Sequence, residues 1–127
     1  GHQLVGEALG GLVEVNPAGP EYGTIRVDLT EEGKRDALFR GMQSPLLAQS
    51  THRDILTVPP QATLLASTTN TRWQAFRWGP HLRAVQFHPE IPAAALRSLC
   101  TVRNIVAPVQ NHSDGDQILA NWIEGCL

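Results

Sequence analysis

Alternating apolar and polar positions predict a series of short β-strands along this chain. The clearest run is Thr24 to Leu29, in which Ile25, Val27 and Leu29 would share one face because side chains alternate across a strand. Further strands are predicted at residues 12–15, 45–50, 62–67, 73–78 and 82–87. Gly79-Pro80 separates the last two runs, so these two strands are expected to form a hairpin.

Apolar residues at helical spacing, together with residues typical of helix ends, predict four helices. Gly10-Gly11 would end the first, and Thr30 would cap the second, which has acidic residues in its first turn and reaches Phe39. The predicted helices cover residues 3–9, 30–39, 92–103 and 116–124. This order of helices and strands predicts an α/β layer fold.

The composition excludes several classes of partner. A chain of 127 residues suffices for one domain with a single modest core. Ten basic and 12 acidic residues give a formal net charge of −2 without a dense basic run, so we expect no nucleic-acid partner. No apolar stretch is long enough to cross a bilayer, and the first residues lack a signal-peptide pattern. We therefore expect a cytoplasmic protein without a membrane partner.

The two cysteines, Cys100 and Cys126, cannot build a disulfide framework or a zinc site. We expect both thiols to be reduced, and we expect neither a metal nor a cofactor. Cys100 falls inside a predicted helix and Cys126 lies next to the last residue, and neither has the exposed, positively charged setting that a reactive cysteine needs. Both are interpreted as structural or incidental thiols.

The run Val85 to Glu90, with the sequence Val-Gln-Phe-His-Pro-Glu, places His88 and Glu90 two residues apart after an apolar segment. In extended backbone, residues two apart project to the same side. A carboxylate beside an imidazole can fix its tautomer and stabilise its protonated form, as the second and third members of a catalytic triad require. The alternative is an ordinary surface salt bridge. The other histidines are interpreted as structural, surface or packing residues: His2, His52, His81 and His112.

Together with Gly1-His2-Gln3, this run resembles the class I, or triad-type, glutamine amidotransferases. In that family a Gly-x-Cys-x-Gly-x-Gln turn comes first and His-Pro-Glu follows late in the domain. The pattern resembles most the glutaminase domain of GMP synthase and its stand-alone relatives. Further matches occur in the expected order: Leu9-Gly10-Gly11, Glu21-Tyr22-Gly23, Leu38-Phe39-Arg40-Gly41, His52-x-Asp54, Leu64-Leu65-Ala66-Ser67 and Gln74-Ala75-Phe76-Arg77.

The resemblance implies a flavodoxin-like α/β fold with a mixed sheet flanked by helices. It aligns Gly1 with the glycine two places after the family's nucleophilic cysteine, so residues 1–127 would form the C-terminal portion of a single, N-terminally truncated amidotransferase domain. The early strands of the sheet would then precede Gly1. Sheet edges left open in this way favour association, so we expect the isolated chain to aggregate, to swap elements into an oligomer, or to occur only beside its missing segment.

The implied activity is hydrolysis of glutamine to glutamate and ammonia by a Cys-His-Glu triad whose cysteine lies upstream of this chain. The resemblance assigns His88 to the acid/base role and Glu90 to the orienting role. We expect Gly1 to lie within about 12 Å of His88, since two missing residues separate Gly1 from the cysteine. Without the nucleophile, this chain alone is predicted to be inactive.

The resemblance also implies a substrate-binding set. Gly1 belongs to the turn that carries the cysteine, and Gln3 matches a glutamine that hydrogen-bonds the substrate in the family. The segment around His52 matches the loop that holds the α-amino and α-carboxyl groups, largely through its backbone, and it contains Thr51, Arg53 and Asp54. Taken alone, Gln3 could be an ordinary exposed helix residue, and Thr51 to Asp54 could be only a polar turn between strands.

The partners that the resemblance implies are glutamine and a synthetase domain or subunit that accepts ammonia, or a chain that supplies the N-terminal segment. The ammonia acceptor is not specified by the sequence. No P-loop is present, so ATP-dependent chemistry would lie elsewhere. The alternative function is that of a non-catalytic remnant, a binding or assembly module that kept the second half of the fold.

Overall fold

The computed structural model describes residues 1–58 and 60–125. The helices are α1 (His2–Ala8), α2 (Glu31–Arg35), α3 (Ala93–Val102) and α4 (Gly115–Gly125), and a 3₁₀ turn spans Ala37–Phe39. The strands are β1 (Leu12–Val15), β2 (Glu21–Leu29), β3 (Leu46–His52), β4 (Asp54–Thr57), β5 (Thr63–Ser67), β6 (Ala75–Trp78) and β7 (Leu82–Val85). The α/β class predicted from the sequence is confirmed. Cys126 lies outside the described residues.

The strands form a five-stranded sheet in the order β3-β2-β5-β6-β7, and β1 pairs with β4 in a separate ribbon. Long strand β2 is the organising element because it pairs antiparallel with β3 along most of its length and with β5 at its end. The predicted hairpin of β6 and β7 is confirmed, with Trp78 opposite Leu82. In β2 the predicted alternation also holds, since Val27 and Leu29 are buried whereas Asp28 is exposed.

Two apolar clusters fill the interior. The larger lies between the sheet and helix α4 and contains Val27, Leu29, Leu38, Phe39, Leu46, Ala48, Leu65, Ala66, Ala75, Phe87 and Ile118. The smaller joins β4 to the β6–β7 hairpin through Leu56, Val58, Phe76 and Ala84, and Val5 and Leu9 of the α1 region pack against it. Helix α1 is therefore anchored beside the end of β7, where the His-Pro-Glu run begins.

The predicted helix over residues 30–39 is wrong in one respect, because it is interrupted at Asp36. Thr30 does cap α2 and accepts a hydrogen bond from the Gly33 amide. Asp36 then adopts an extended conformation, and its buried carboxylate accepts from the Leu38 amide and so begins the 3₁₀ turn. The same carboxylate binds Arg83, with 2.7 Å between Nε and Oδ1. This long-range ion pair outweighs the local preference for a continuous helix.

The segment Thr51 to Asp54 is not a separate polar loop. Thr51 and His52 belong to β3, Asp54 begins β4, and only Arg53 lies between the two strands. Strand β4 was not predicted, because its four residues are too short to show an alternating pattern. The pairing of β4 with β1 stabilises it and holds this turn beside helix α1.

Six large apolar side chains are exposed among the described residues: Leu4, Leu12, Val15, Val102, Val106 and Ile123. Exposed apolar surface of this kind favours association. The expectation that the chain forms aggregates or oligomers stays a prediction.

Candidate functional site

The His88-Pro89-Glu90 run leaves the end of β7 with its backbone fixed. The Gln86 amide donates to the Gln74 carbonyl at 2.7 Å, and the His88 amide donates to the Gln49 carbonyl at 2.8 Å. Helix α4 packs against the other side of the run at Gly115, where an added Cβ would lie 2.3 Å from the Pro89 carbonyl oxygen. A glycine is thus required for α4 to approach this closely, and the run is held between the sheet and α4.

Within the run, the His88 imidazole and the Glu90 carboxylate form a close pair. The distance from His88 Nδ1 to Glu90 Oε1 is 2.7 Å. Among the described residues, His88 Nε2 has no hydrogen-bond partner. A carboxylate can only accept, so Nδ1 carries the hydrogen and Nε2 of the neutral ring keeps its lone pair. This arrangement suits a general base that is oriented by an acid.

The electrostatics keep Glu90 ionised. Partial burial raises the pKa of the Glu90 carboxyl, but the hydrogen bond from the His88 side chain outweighs burial and brings this pKa below its ordinary value. Glu90 is therefore a carboxylate at neutral pH and can stabilise an imidazolium that forms during proton transfer.

A cavity of about 690 Å³ opens beside the pair. Helix α1 contributes to it from one side, the β3–β4 turn from a second, and the run after β7 from a third. All seven site residues predicted from the sequence line this cavity: Gly1, Gln3, Thr51, Arg53, Asp54, His88 and Glu90. Residues from three distant parts of the sequence thus meet in one place, at a size suited to a small polar ligand.

Gln3 joins two walls of the cavity. Its side-chain Nε2 donates to the backbone carbonyl of Asp54 at 3.3 Å. Arg53 is mostly exposed, and its Nε lies 3.6 Å from Asp54 Oδ1, too far for a hydrogen bond. Gln3 is half-buried and makes this tertiary contact, and its role toward a substrate stays a prediction.

Beneath the surface of the cavity, Thr51 Oγ1 makes no hydrogen bond to the described residues, and Asp54 Oδ1 has only the 3.6 Å contact with Arg53 Nε. The buried side chains of His2 and Gln86 lie next to each other in the same wall. The wall of the cavity is therefore polar along α1, the β3–β4 turn and the run after β7.

Sequence reasoning missed His2, Gln86 and His52 as members of the lining. His2 packs edge-on against Phe76, with 5.3 Å between ring centroids, so the packing interpretation of this residue is correct. For Gln86 a signal was present, because it precedes His88 by two residues and so shares its side of an extended chain. Cys100 is buried on α3 and does not line the cavity, in agreement with its interpretation as a structural thiol.

Within residues 1–58 and 60–125, no group of three or more His, Cys, Asp and Glu side chains could hold a metal ion. In the same part of the chain, no helix is long and apolar enough to cross a membrane.

The buried His2 leads to a prediction about stability and pH. Burial lowers the pKa of His2 from 6.5 to about 4, although the neighbouring Gln86 side chain acts in the opposite direction. The unfolded chain therefore binds a proton at higher pH than the folded chain does, so the folded state loses stability as the pH falls below 6.5. Between pH 7 and pH 5 we expect a loss of about 2 kcal/mol from this residue.

Urea unfolding at the two pH values, for wild type and for a His2→Gln variant, measures this contribution. The expected result is a smaller loss of stability in the variant. Equal losses in the two proteins would show that His2 takes up its proton in the folded state.

Comparisons with known proteins show the family to which this chain is similar. Residues 1–98 match the family model "Glutamine amidotransferase class-I". The chain is 31% identical over 128 residues to a glutamine-hydrolysing GMP synthase subunit of Sulfurisphaera tokodaii, and the match covers 99% of the chain and 56% of that relative. A glutamine amidotransferase structure from Thermotoga maritima has a TM-score of 0.70 at 25% identity, over 82% of this chain and 44% of that one.

The structure of a glutamine amidotransferase from Methylobacillus flagellatus has the same fold. Its TM-score is 0.78 at 20% identity, and the match covers 100% of this chain and 61% of that chain. The chain spans about half the length of the curated relatives that it matches.

Proposed function

Because this chain belongs to the class I glutamine amidotransferase family, we propose that it carries the acid/base half of a site that hydrolyses glutamine to glutamate and ammonia. The observation that carries the proposal is the 2.7 Å contact between His88 Nδ1 and Glu90 Oε1 at a cavity that Gly1 also lines. In this arrangement the second ring nitrogen of His88 is left for a thiol.

The nucleophile in this proposal is a cysteine two residues before Gly1. Its thiol gives a proton to His88 Nε2, and the sulfur attacks the carboxamide carbon of glutamine. The imidazolium then returns the proton to the departing ammonia, and a water molecule activated by the same nitrogen releases glutamate from the thioester. Glu90 stays ionised throughout, holds the ring and stabilises its positive charge.

The substrate occupies the cavity between α1 and the β3–β4 turn. Gln3 lies beside the scissile carboxamide, and Gly1 belongs to the turn that presents the cysteine. The α-amino and α-carboxyl groups bind along Thr51, Arg53 and Asp54, largely through the backbone. The polar and charged side chains that line this cavity support the assignment of a polar substrate.

A synthetase domain or subunit would take up the ammonia, in the cytoplasm. The support for a partner is that relatives covering nearly the whole chain are named as subunits of a glutamine-hydrolysing GMP synthase. A second chain that supplies the N-terminal segment is the alternative arrangement of the same site.

The test is a glutaminase assay of two proteins, the present chain and the chain extended upstream in its reading frame. We expect the extended protein to release glutamate and ammonia in equal amounts, and the present chain to release neither. An upstream sequence without a Gly-x-Cys pattern, in a protein with no activity, would instead favour the non-catalytic binding or assembly module.

A further inference from the structure

Behind the wall of the cavity lies a second imidazole–carboxylate pair, formed by His52 and Glu21. The two residues are directly opposite each other in the β2–β3 pairing, and each is 6% exposed. His52 Nε2 lies 3.1 Å from Glu21 Oε2. The proposed reaction uses neither side chain, and Glu21 does not line the cavity. Burying charged groups costs free energy, so a buried ionisable pair is expected to have a structural or functional role.

Two contacts hold the His52 ring. Nδ1 lies 3.0 Å from the Asp54 carbonyl oxygen, which can only accept, so Nδ1 carries a hydrogen. The other ring nitrogen, Nε2, faces the Glu21 carboxylate, whose Oε2 lies 3.1 Å away. A buried carboxylate that has such a partner costs less free energy than an isolated one.

Glu21 is itself held from the opposite side. Thr68 donates its hydroxyl hydrogen to Glu21 Oε1, and the Gln74 side-chain amide donates to Oε2. Burial alone raises the pKa of Glu21, but the hydrogen bonds from His52, Thr68 and Gln74 and the charge of His52 bring it below its ordinary value. The carboxylate therefore connects His52 to the end of β5 and to the residue before β6.

The connection continues into the substrate cavity. The Asp54 carbonyl that accepts from His52 also accepts from the Gln3 side chain, at 3.3 Å. One carbonyl oxygen thus receives two donors, one from the cavity lining and one supported by Glu21. A shift of His52 would move this carbonyl and, with it, the Gln3 amide.

We propose that Glu21 is a positioning residue that acts through His52 to hold the Asp54 carbonyl and the Gln3 amide in their glutamine-binding positions. The inference rests on the proposed function for its role in turnover. Its structural part, the coupling of Glu21 to Gln3, stands on the hydrogen bonds alone. Because Glu21 touches neither substrate nor the His88–Glu90 pair, its effect falls on binding of glutamine and not on the chemical step.

The kinetic test compares Glu21→Ala, Glu21→Gln and Asp28→Ala in the upstream-extended protein. Asp28 is an exposed residue of the same strand and serves as the matched control. For Glu21→Ala we expect KM for glutamine to rise about tenfold while kcat stays within about threefold, since loss of one buried charged hydrogen bond is of this size. Glu21→Gln is expected to restore part of the affinity, because its amide can accept from Thr68 and donate to His52 Nε2 but then faces the Gln74 amide, which is also a donor.

A second readout uses the upstream-extended protein and needs no activity. In amide NMR spectra, the Gln3 side-chain resonances are expected to shift in Glu21→Ala and to stay in place in Asp28→Ala. If the Glu21→Ala variant does not fold, both measurements are made on Thr68→Val instead. This change removes one hydrogen-bond donor to the Glu21 carboxylate.

The outcomes separate the two proposals. Absence of glutamine hydrolysis by the extended wild-type protein overturns the proposed function. The coupling of Glu21 to Gln3 is then tested by the Gln3 resonances alone. Normal wild-type turnover with an unchanged KM in a folded Glu21→Ala variant overturns the positioning role. Unshifted Gln3 resonances in that variant overturn the coupling itself.

Discussion

Replacing His88 with alanine is expected to lower kcat for glutamine hydrolysis by about a thousandfold or more, because the thiol then loses the group that takes and returns its proton. The chain should fold normally, since the His88 side chain is only partly buried and its described side-chain partner is Glu90. Glutamate release by the upstream-extended protein measures the effect. Replacing Glu90 by glutamine is expected to cause a loss of similar size, up to about ten-thousandfold, because the amide can donate to Nδ1 and so favour the tautomer whose Nε2 already carries a hydrogen.

A matched control for this prediction is His112→Ala. His112 also lies two residues before an acid, and its Nε2 is 3.4 Å from Asp114 Oδ1 at the surface. The structure gives this pair no place in the cavity lining, so its removal should leave kcat within about a factor of two. Equal losses of activity in His88→Ala and His112→Ala would mean that His88 has no special role.

Replacing Asp36 with alanine is expected to destabilise the fold by about 3 kcal/mol or more. The Asp36 side chain is fully buried and accepts hydrogen bonds from Arg77, Arg83 and the Leu38 amide. Its removal takes away the carboxylate to which the Arg83 guanidinium, itself only 9% exposed, donates. Chemical denaturation gives the difference in unfolding free energy. Asp28→Ala, at an exposed position, should change this energy by about 0.5 kcal/mol or less.

The pH dependence of the same ion pair provides a second check. Burial raises the pKa of Asp36, but the hydrogen bonds from Arg83, Leu38 and Arg77 outweigh burial and lower the pKa below its ordinary value of 3.8. The unfolded chain therefore takes up this proton at higher pH than the folded chain. The contribution of the pair is complete well above pH 3.8 and is lost as the pH falls through the folded-state value. A stability difference between wild type and Asp36→Ala that stays unchanged from about pH 7 to about pH 3 would contradict the assignment.

Much of the fold could be predicted because local patterns and tertiary packing agree there. The alternation in β2, the β6–β7 hairpin and helices α3 and α4 follow from apolar spacing and turn residues. The break at Asp36 could not be predicted, because it depends on Arg77 and Arg83, which are distant in sequence. Strand β4 was missed for a similar reason, since its pairing with β1 supplies the stability that four residues lack.

The residues of the candidate site could be predicted because each belongs to a short sequence motif. The three motifs are distant from one another in the sequence, and the fold brings them to one cavity. Their chemical roles stay predictions. Glu21 was named within a motif but was given no role. Glu21 lies on the same face of β2 as Ile25 and Val27, and this alternation could have indicated that Glu21 is buried. The contact of Glu21 with His52 depends on the β2–β3 register, which the sequence does not specify.

The central claim is that His88 and Glu90 serve a cysteine located two residues before Gly1. The most direct measurement is glutamate release by the upstream-extended protein, compared with a variant in which that cysteine alone is replaced by alanine. We predict steady release of glutamate by the first protein and none above the buffer blank by the second. Equal release by the two proteins, or the absence of a cysteine at that position in an active protein, would contradict the assignment.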